Sequence, residues 1–348
     1  MARARNSATS GRTERLTLII AATAGAIGVL AGVYVIWAPE TPTRTIALGV
    51  VSGVAGVAVS IATVLTLRYL GRVQRVDFRI AITGVPQAGK TVFATILYDV
   101  LVDSSTSEVN FTPESQSIIA VYQAIRGITA DRWPASTRTG SVFRYEGTIR
   151  FGRRLEVDLE IGDSAGEYWI DLEEPSGKNG DYLSYVVSSD AITHVIPVDR
   201  LLDAERSDIA PDAREFLRRD LRDLKFASNL ISSAKRGPAQ RPLLVVISKM
   251  DLLNNITPAY LRDNLLQTIP VSELASYQFF SSFYFPGRSA LKSELANFGE
   301  EVQQYFSSVD FVFSSVSAIT EKRSPRTVEG GVMDWLRRAS VHPGAGVH

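Results

Sequence analysis

The residues with the clearest chemical meaning are Gly84-Val85-Pro86-Gln87-Ala88-Gly89-Lys90-Thr91. Glycines at the first and sixth positions let the backbone curl so that successive N–H groups face phosphate oxygens. A lysine then reaches the outer phosphates, and a hydroxyl suits Mg²⁺. Gly84 and Gly89 open and close this loop, Lys90 is the cation, Thr91 is the metal ligand, and Val92 continues into the next element. Val76 to Thr83 reads as a strand and Thr91 to Val102 as a helix, which places the phosphates at a helix N-terminus. Pro86 departs from the simplest form of the loop. It has no N–H, so the loop has one donor fewer, and its ring makes a rigid, bulky point that would obstruct an arginine arriving from a partner.

Three further groups follow strands. Asp163-Ser164-Ala165-Gly166-Glu167 follows the strand Leu155 to Ile161, and Ser248-Lys249-Met250-Asp251 follows the apolar strand Leu243 to Ile247. Ser317-Ala318 comes after the strand Phe311 to Ser315. A carboxylate at Asp251 can accept from both the ring N–H and the exocyclic amine of guanine. Adenine offers no such pair of donors, which argues against an ATPase.

Taken with the phosphate loop, these positions resemble the translation-factor-like, Ras-like branch of P-loop GTPases, over roughly residues 77 to 340. The resemblance implies GTP/GDP as ligand, with Mg²⁺. It implies that Asp163 holds the metal through water and that the Gly166 N–H senses the γ-phosphate and orders the segment after it. Ser248 to Asp251 stands for the base-reading NKxD element. Lys249 lies over the base, and Ser248 replaces an asparagine whose amide would make bridging bonds. A backbone N–H at Ser317-Ala318 would bind the guanine carbonyl. The tract Trp133-Pro134-Ala135-Ser136-Thr137 resembles a segment of bacterial double-GTPase-type proteins. It nominates Thr137 as the switch ligand to Mg²⁺, with Thr139 as the runner-up. Arg138 is either a finger supplied in cis or a solvated charge. Many relatives carry a water-orienting glutamine after the second motif; here Glu167 stands there. It can accept from water but has no amide N–H to donate, so slow intrinsic hydrolysis is expected.

The elements that must position these groups alternate strand with helix: Val142 to Phe151 and Leu155 to Ile161 as a strand pair, Ala191 to Val198 and Leu243 to Ile247 as buried strands, Pro211 to Ser233 as a charged helix, and a terminal helix over Val332 to Ala339. This order predicts an α/β P-loop NTPase fold, a mostly parallel sheet with helices on both faces. Residues 103 to 140 read as polar and irregular. Charge pairs such as Asp212 with Arg214 and Asp220 with Arg222 read as a solvated helix face. His194, inside a buried strand, reads as packing only. Tyr277 to Phe285, with six aromatics, reads as core.

Composition narrows the classes. The 348 residues contain 37 Lys plus Arg against 37 Asp plus Glu, no cysteine and three histidines. Disulfides, thiolate metal sites and cysteine nucleophiles are excluded. With no net charge and no basic stripe, nothing argues for nucleic acid.

Two uncharged apolar runs precede the nucleotide motifs, at residues 16–37 and 45–67. Each reaches the roughly 20 residues that cross a bilayer. Pro39 and Pro42 interrupt them. Arg3, Arg5, Arg12 and Arg15 lie before the first run, and Arg68, Arg72 and Arg75 after the second, while the connecting loop has only Arg44 against Glu40. The positive-inside rule then predicts a transmembrane hairpin in the inner or plasma membrane, spanning 16–70 with a basic tail at 1–15. The GTPase domain, 76–340, and a short tail, 341–348, are expected in the cytoplasm. Gly28 with Gly32 and Gly49 with Gly53 form GxxxG patterns that would suit the two helices packing on each other or a homodimer. The expected function is a slow, membrane-anchored GTP switch acting on a protein effector or activator. The alternatives are a non-hydrolysing nucleotide-dependent scaffold or receptor subunit and a membrane-remodelling GTPase. The latter would need a long helical stalk that the sequence does not show.

Overall fold

The computed structural model describes residues 73–103, 109–130, 132, 142–152, 155–164, 180–203, 208–235, 241–252, 266–274, 276, 288–315 and 331–341. The two expected membrane spans, the aromatic run Tyr277 to Phe285 and the tail beyond 341 lie outside these residues. Among the described residues no helix is long and apolar enough to cross a membrane. The chain divides into two compact units, Met1–Gln74 and Arg75–His348, and the elements below belong to the second, with β1 beginning at its border.

In chain order the elements are β1 (Gln74–Thr83), α1 (Lys90–Asp103), β2 (Val109–Pro113), α2 (Ser115–Thr129), β3 (Val142–Phe151), β4 (Leu155–Ser164) and α3 (Gly180–Ser188). There follow β5 (Ala191–Pro197), a 3₁₀ turn at Val198–Arg200, β6 (Leu202–Asp203), β7 (Asp208–Ile209), α4 (Ala213–Lys235) and β8 (Pro242–Ser248). The last are a second 3₁₀ turn at Met250–Leu252, β9 (Ile269–Pro270), α5 (Val271–Leu274), α6 (Arg288–Val302), β10 (Ser308–Phe313) and α7 (Val332–Val341).

Eight strands form one sheet in the order β2-β3-β4-β1-β5-β8-β10-β9. Its centre is parallel: β1 pairs with β5, β5 with β8 and β8 with β10. Its margins are antiparallel, with β3 between β2 and β4 on one side and β9 against β10 on the other. All seven residues of β5 (AITHVIP) and of β8 (PLLVVIS) are buried. A strand buried at every position has both faces covered, which is why these two read as apolar runs rather than as alternation. The expected α/β sheet is therefore present, with its parallel part confined to the middle.

Residues 103 to 140 depart from expectation. They hold a strand and a 15-residue helix, β2 and α2. The apolar signal there is thin: of α2 only Ser117, Val121 and Ile128 are buried, and β2 has the mixed sequence VNFTP on a sheet edge. Tertiary contact supplies what local propensity does not. Phe111 of β2 stacks edge-on against Tyr98 of α1 at 5.0 Å, and the Ser117 hydroxyl of α2 accepts from the Glu146 N–H of β3 at 2.9 Å.

Two buried polar arrangements fix helices to the sheet. The Arg241 guanidinium, 3% exposed, donates to the carbonyls of Val186 at 3.0 Å and Val187 at 2.7 Å, which are among the last of α3. A cation there satisfies carbonyls that the helix itself cannot. On the other helix, buried residues recur along α4 at Ala213, Leu217, Asp220, Leu224, Ala227 and Ile231, the spacing of one helical face. Asp220 sits on that apolar stripe, 1% exposed, with its Oδ2 at 3.0 Å from His194 Nε2. His194 Nδ1 lies 3.0 Å from the Thr83 hydroxyl at the end of β1. Both expectations here are corrected. His194 is a hydrogen-bonded link between β1, β5 and α4, because a fully buried imidazole must satisfy both ring nitrogens. Asp220 does not belong to a solvated face, because its partner is below the helix. Arg214 pairs with Glu294 of α6 rather than with Asp212.

Asp223, one turn on from Asp220, is buried too. Desolvation, reinforced by the Asp220 carboxylate, pushes its carboxyl up to about 6, against the opposing pull of His194, Arg219 and Arg222. The folded chain thus holds this proton more tightly than the unfolded chain, whose carboxyl titrates near 3.8. Stability from this group is fully present below 3.8 and falls as pH rises through 6. Asp223→Asn removes the penalty, so thermal melting at pH 7.5 should show a gain of about 1–2 kcal/mol that fades towards pH 4.

Candidate functional site

The parallel centre brings the carboxyl ends of β1, β5, β8 and β10 to one edge, the place where open α/β sheets bind ligands. Thr83, Pro197, Ser248 and Phe313 end those strands, and the loops that leave them carry the motifs.

The loop after β1 turns at once. Gly84 has φ +133°, and a Cβ there would collide with the Val195 carbonyl oxygen of β5. Gln87 (φ 61°) is left-handed, as is Gly89 (φ 86°). A left-handed glutamine costs on the order of 1 kcal/mol, held in place by the bonds around it. Gly89 accepts the first helical bond of α1, from the Phe93 N–H at 2.8 Å. Lys90, Thr91 and Val92 form the first turn of this helix, the place where a helix start offers backbone N–H groups to an anion. The Lys90 ammonium, 7% exposed, curls over the loop and donates to the carbonyls of Gly84 and Val85, both at 3.0 Å.

The Thr91 hydroxyl donates to Asp163 Oδ2 at 2.6 Å, across 72 residues of sequence. Asp163 is 0% exposed, near the end of β4, which lies beside β1. A hydroxyl and a carboxylate set together form an all-oxygen donor pair. Mg²⁺ takes such oxygens, usually one or two from protein and the rest from phosphates and water. The donor set therefore fits the metal expected from the sequence. Gly166, Glu167, Thr137, Arg138 and Thr139 lie outside the described residues.

The β8 motif is joined to the phosphate loop directly. The Ser248 hydroxyl donates to the Ala88 carbonyl at 2.6 Å. Serine lacks the amide of the expected asparagine, but its short side chain still spans the gap beside Gly89, whose added Cβ would stand 3.7 Å from Ser248. Lys249 is left-handed (φ 59°), and its ammonium pairs with Asp199 at 2.7 Å. Asp251 Oδ1 accepts from the Ser315 hydroxyl at 2.9 Å, which fixes the carboxylate at the same edge. Ser317 and Ala318 lie outside the described residues; Ser315, two positions earlier, is the neighbour that the structure supplies. Asp199 and Ser315 were missed in the sequence. Each directly follows or closes a buried strand at the ligand-facing end, and that position was the available signal.

A sheet of this order with this loop and these strand ends defines a P-loop GTPase-type domain. A model of the double-GTPase 2 family matches residues 79–298, and the chain belongs to that family. Among solved structures, the chain is similar to the G domain of the T. maritima FeoB iron transporter. The two share 13% identity at a TM-score of 0.29, over 77% of this chain and 98% of that one. It is also similar to a variant of Aquifex aeolicus Era bound to GDP.AlF4⁻, with 11% identity and a TM-score of 0.31, over 76% of this chain and 55% of that one. No curated protein matches the chain.

Ser248→Ala deprives the carbonyl of Ala88, a buried residue of the loop, of the Ser248 hydroxyl. The variant should lose about 1–2 kcal/mol in denaturant unfolding, and Ser248→Thr, which keeps the hydroxyl, should recover most of it.

Proposed function

We propose that this chain binds GTP and GDP together with Mg²⁺ and hydrolyses GTP slowly, as a switch tethered to the cytoplasmic face of a membrane. One observation carries the guanine reading: the Asp251 carboxylate is held by Ser315 on the strand edge that also bears the phosphate loop, with Ser248 bonding the two motifs together. A fixed carboxylate there suits the paired N–H donors of guanine.

Lys90 and the helix start of α1 bind and orient the phosphates. Thr91 and Asp163 would hold Mg²⁺, which neutralises charge developing on the transferred phosphoryl group. In hydrolysis, a water oxygen bonds to the terminal phosphorus while the bond to the bridging oxygen breaks, and that electron pair stays on GDP. Gly166 and Thr137 are the proposed sensors of the terminal phosphate, and Ser317-Ala318 the proposed contact to the base. Glu167 accepts from the water without donating to the transition state, which keeps the rate low. The effector or activator would read the ordering of the segments around 130–140 and 163–190.

Two measurements test this reading. Purified full-length chain should bind GTP at least about 100-fold more tightly than ATP, a difference of about 2.7 kcal/mol. Lys90→Ala should abolish binding, and Asp251→Asn should shift preference from GTP towards xanthosine triphosphate, whose ring presents an oxygen in place of the amine. A preference for ATP would end the guanine reading, and binding without turnover would favour the scaffold. For the tether, alkaline carbonate should leave the full chain in the membrane pellet, and removal of residues 1–72 should release it to the supernatant. Release of the full chain would rule out the two spans.

A further inference from the structure

Beside the phosphate loop lies a cavity of about 570 Å³, walled on one side by Val85, Pro86 and Gln87. A stripe of α4 also lines it. Phe216, Arg219 and Arg222 recur there at helical spacing, with Arg200 from the turn after β5. Asp212 and Glu215 stand at the N-terminal end of the same stripe. Carboxylates there complement the helix dipole. Three guanidiniums against two carboxylates leave the cavity positive.

The position of that charge matters more than its sign. Val85 lines the cavity and also accepts from the Lys90 ammonium at 3.0 Å. A P-loop lysine bonds the outer phosphates, so the cavity and the phosphate site share a stretch of the same loop. Arg219 is already oriented, its guanidinium carbon 5.9 Å from the centre of the Phe216 ring. A cation held on an aromatic face loses less freedom when it engages an anion.

We propose that Arg219, backed by Arg222, contacts the terminal phosphate of the bound nucleotide, so that the chain supplies its own arginine charge for phosphoryl transfer. This rests on the GTP reading above. The guanidinium remains protonated throughout and accepts no proton. It donates hydrogen bonds to the oxygens that gain charge as water attacks phosphorus and the bond to GDP breaks. The anion that the cavity takes is therefore a transferring phosphoryl group, with Arg200 adding long-range positive charge.

The test compares full-length wild type with Arg219→Ala, Arg219→Lys, the Arg219→Ala/Arg222→Ala pair and Arg218→Ala. Arg218 is the exposed neighbour that is not among the residues lining the cavity. GDP affinity, capture of GDP with aluminium fluoride, and single-turnover GTP hydrolysis are measured. Arg219→Ala should keep GDP affinity within about threefold, fail to capture aluminium fluoride, and hydrolyse roughly 10²–10³-fold more slowly. Lysine should restore only part of the rate, because it lacks the planar fork, and Arg218→Ala should match wild type. Wild-type hydrolysis and capture in the double variant would overturn the inference, as would an equal loss of GDP and GTP affinity with capture intact. If wild type binds no GTP, or Lys90→Ala binds it normally, the GTP reading itself fails; Lys90-dependent binding with no effect of Arg219 removes only this proposal.

Discussion

How closely β1 can approach β5 at the point where β1 ends decides the rest of the site. The Val195 carbonyl stands where any side chain at position 84 would go. Only glycine lets the chain turn there, and only that turn brings Ala88 within reach of Ser248 and places Gly89 at the head of α1. Had the two strands been held further apart, a larger residue would fit. The loop would then lose its bond to β8, and the base-facing and phosphate-facing motifs would become separate objects.

The same close approach explains why polar groups are tolerated beneath the loop. Thr83, the residue before the turn, bonds to His194, and His194 to Asp220. Each is buried, and each has a partner on a different element. An unpaired imidazole or carboxylate in that position would cost the full desolvation of the group. Paired, they tie the first strand, the central strand and a helix into one register.

Much of this was legible in the sequence because it is local. Gly84 to Thr91 carries its own spacing, β5 and β8 announce themselves as unbroken apolar runs, and Asp163 lies at the end of one strand and Asp251 just beyond another. What escaped was made by distant partners. Asp220 looks like one charge among many in a helix rich in arginine. Yet it interrupts the buried stripe of Ala213, Leu217 and Leu224, and an ionisable residue on that stripe was the sign of a partner below. The strand β2 and helix α2 escaped for the opposite reason. Their own sequences barely alternate, and their place on the sheet is set by contacts of Phe111 to Tyr98 and of Ser117 to Glu146 that no local pattern encodes.

Helix α4 serves two surfaces at once. One face reaches His194 and, through it, the residue just before the phosphate loop; another face lines the arginine-rich cavity. A helix so committed has little room for drift. A substitution that re-angles it to suit one surface displaces the other, so adaptation here must proceed by paired changes or by exchanging side chains over an unmoved backbone. The freedom to diversify is therefore pushed outward, to the exposed residues of α4 that meet neither surface.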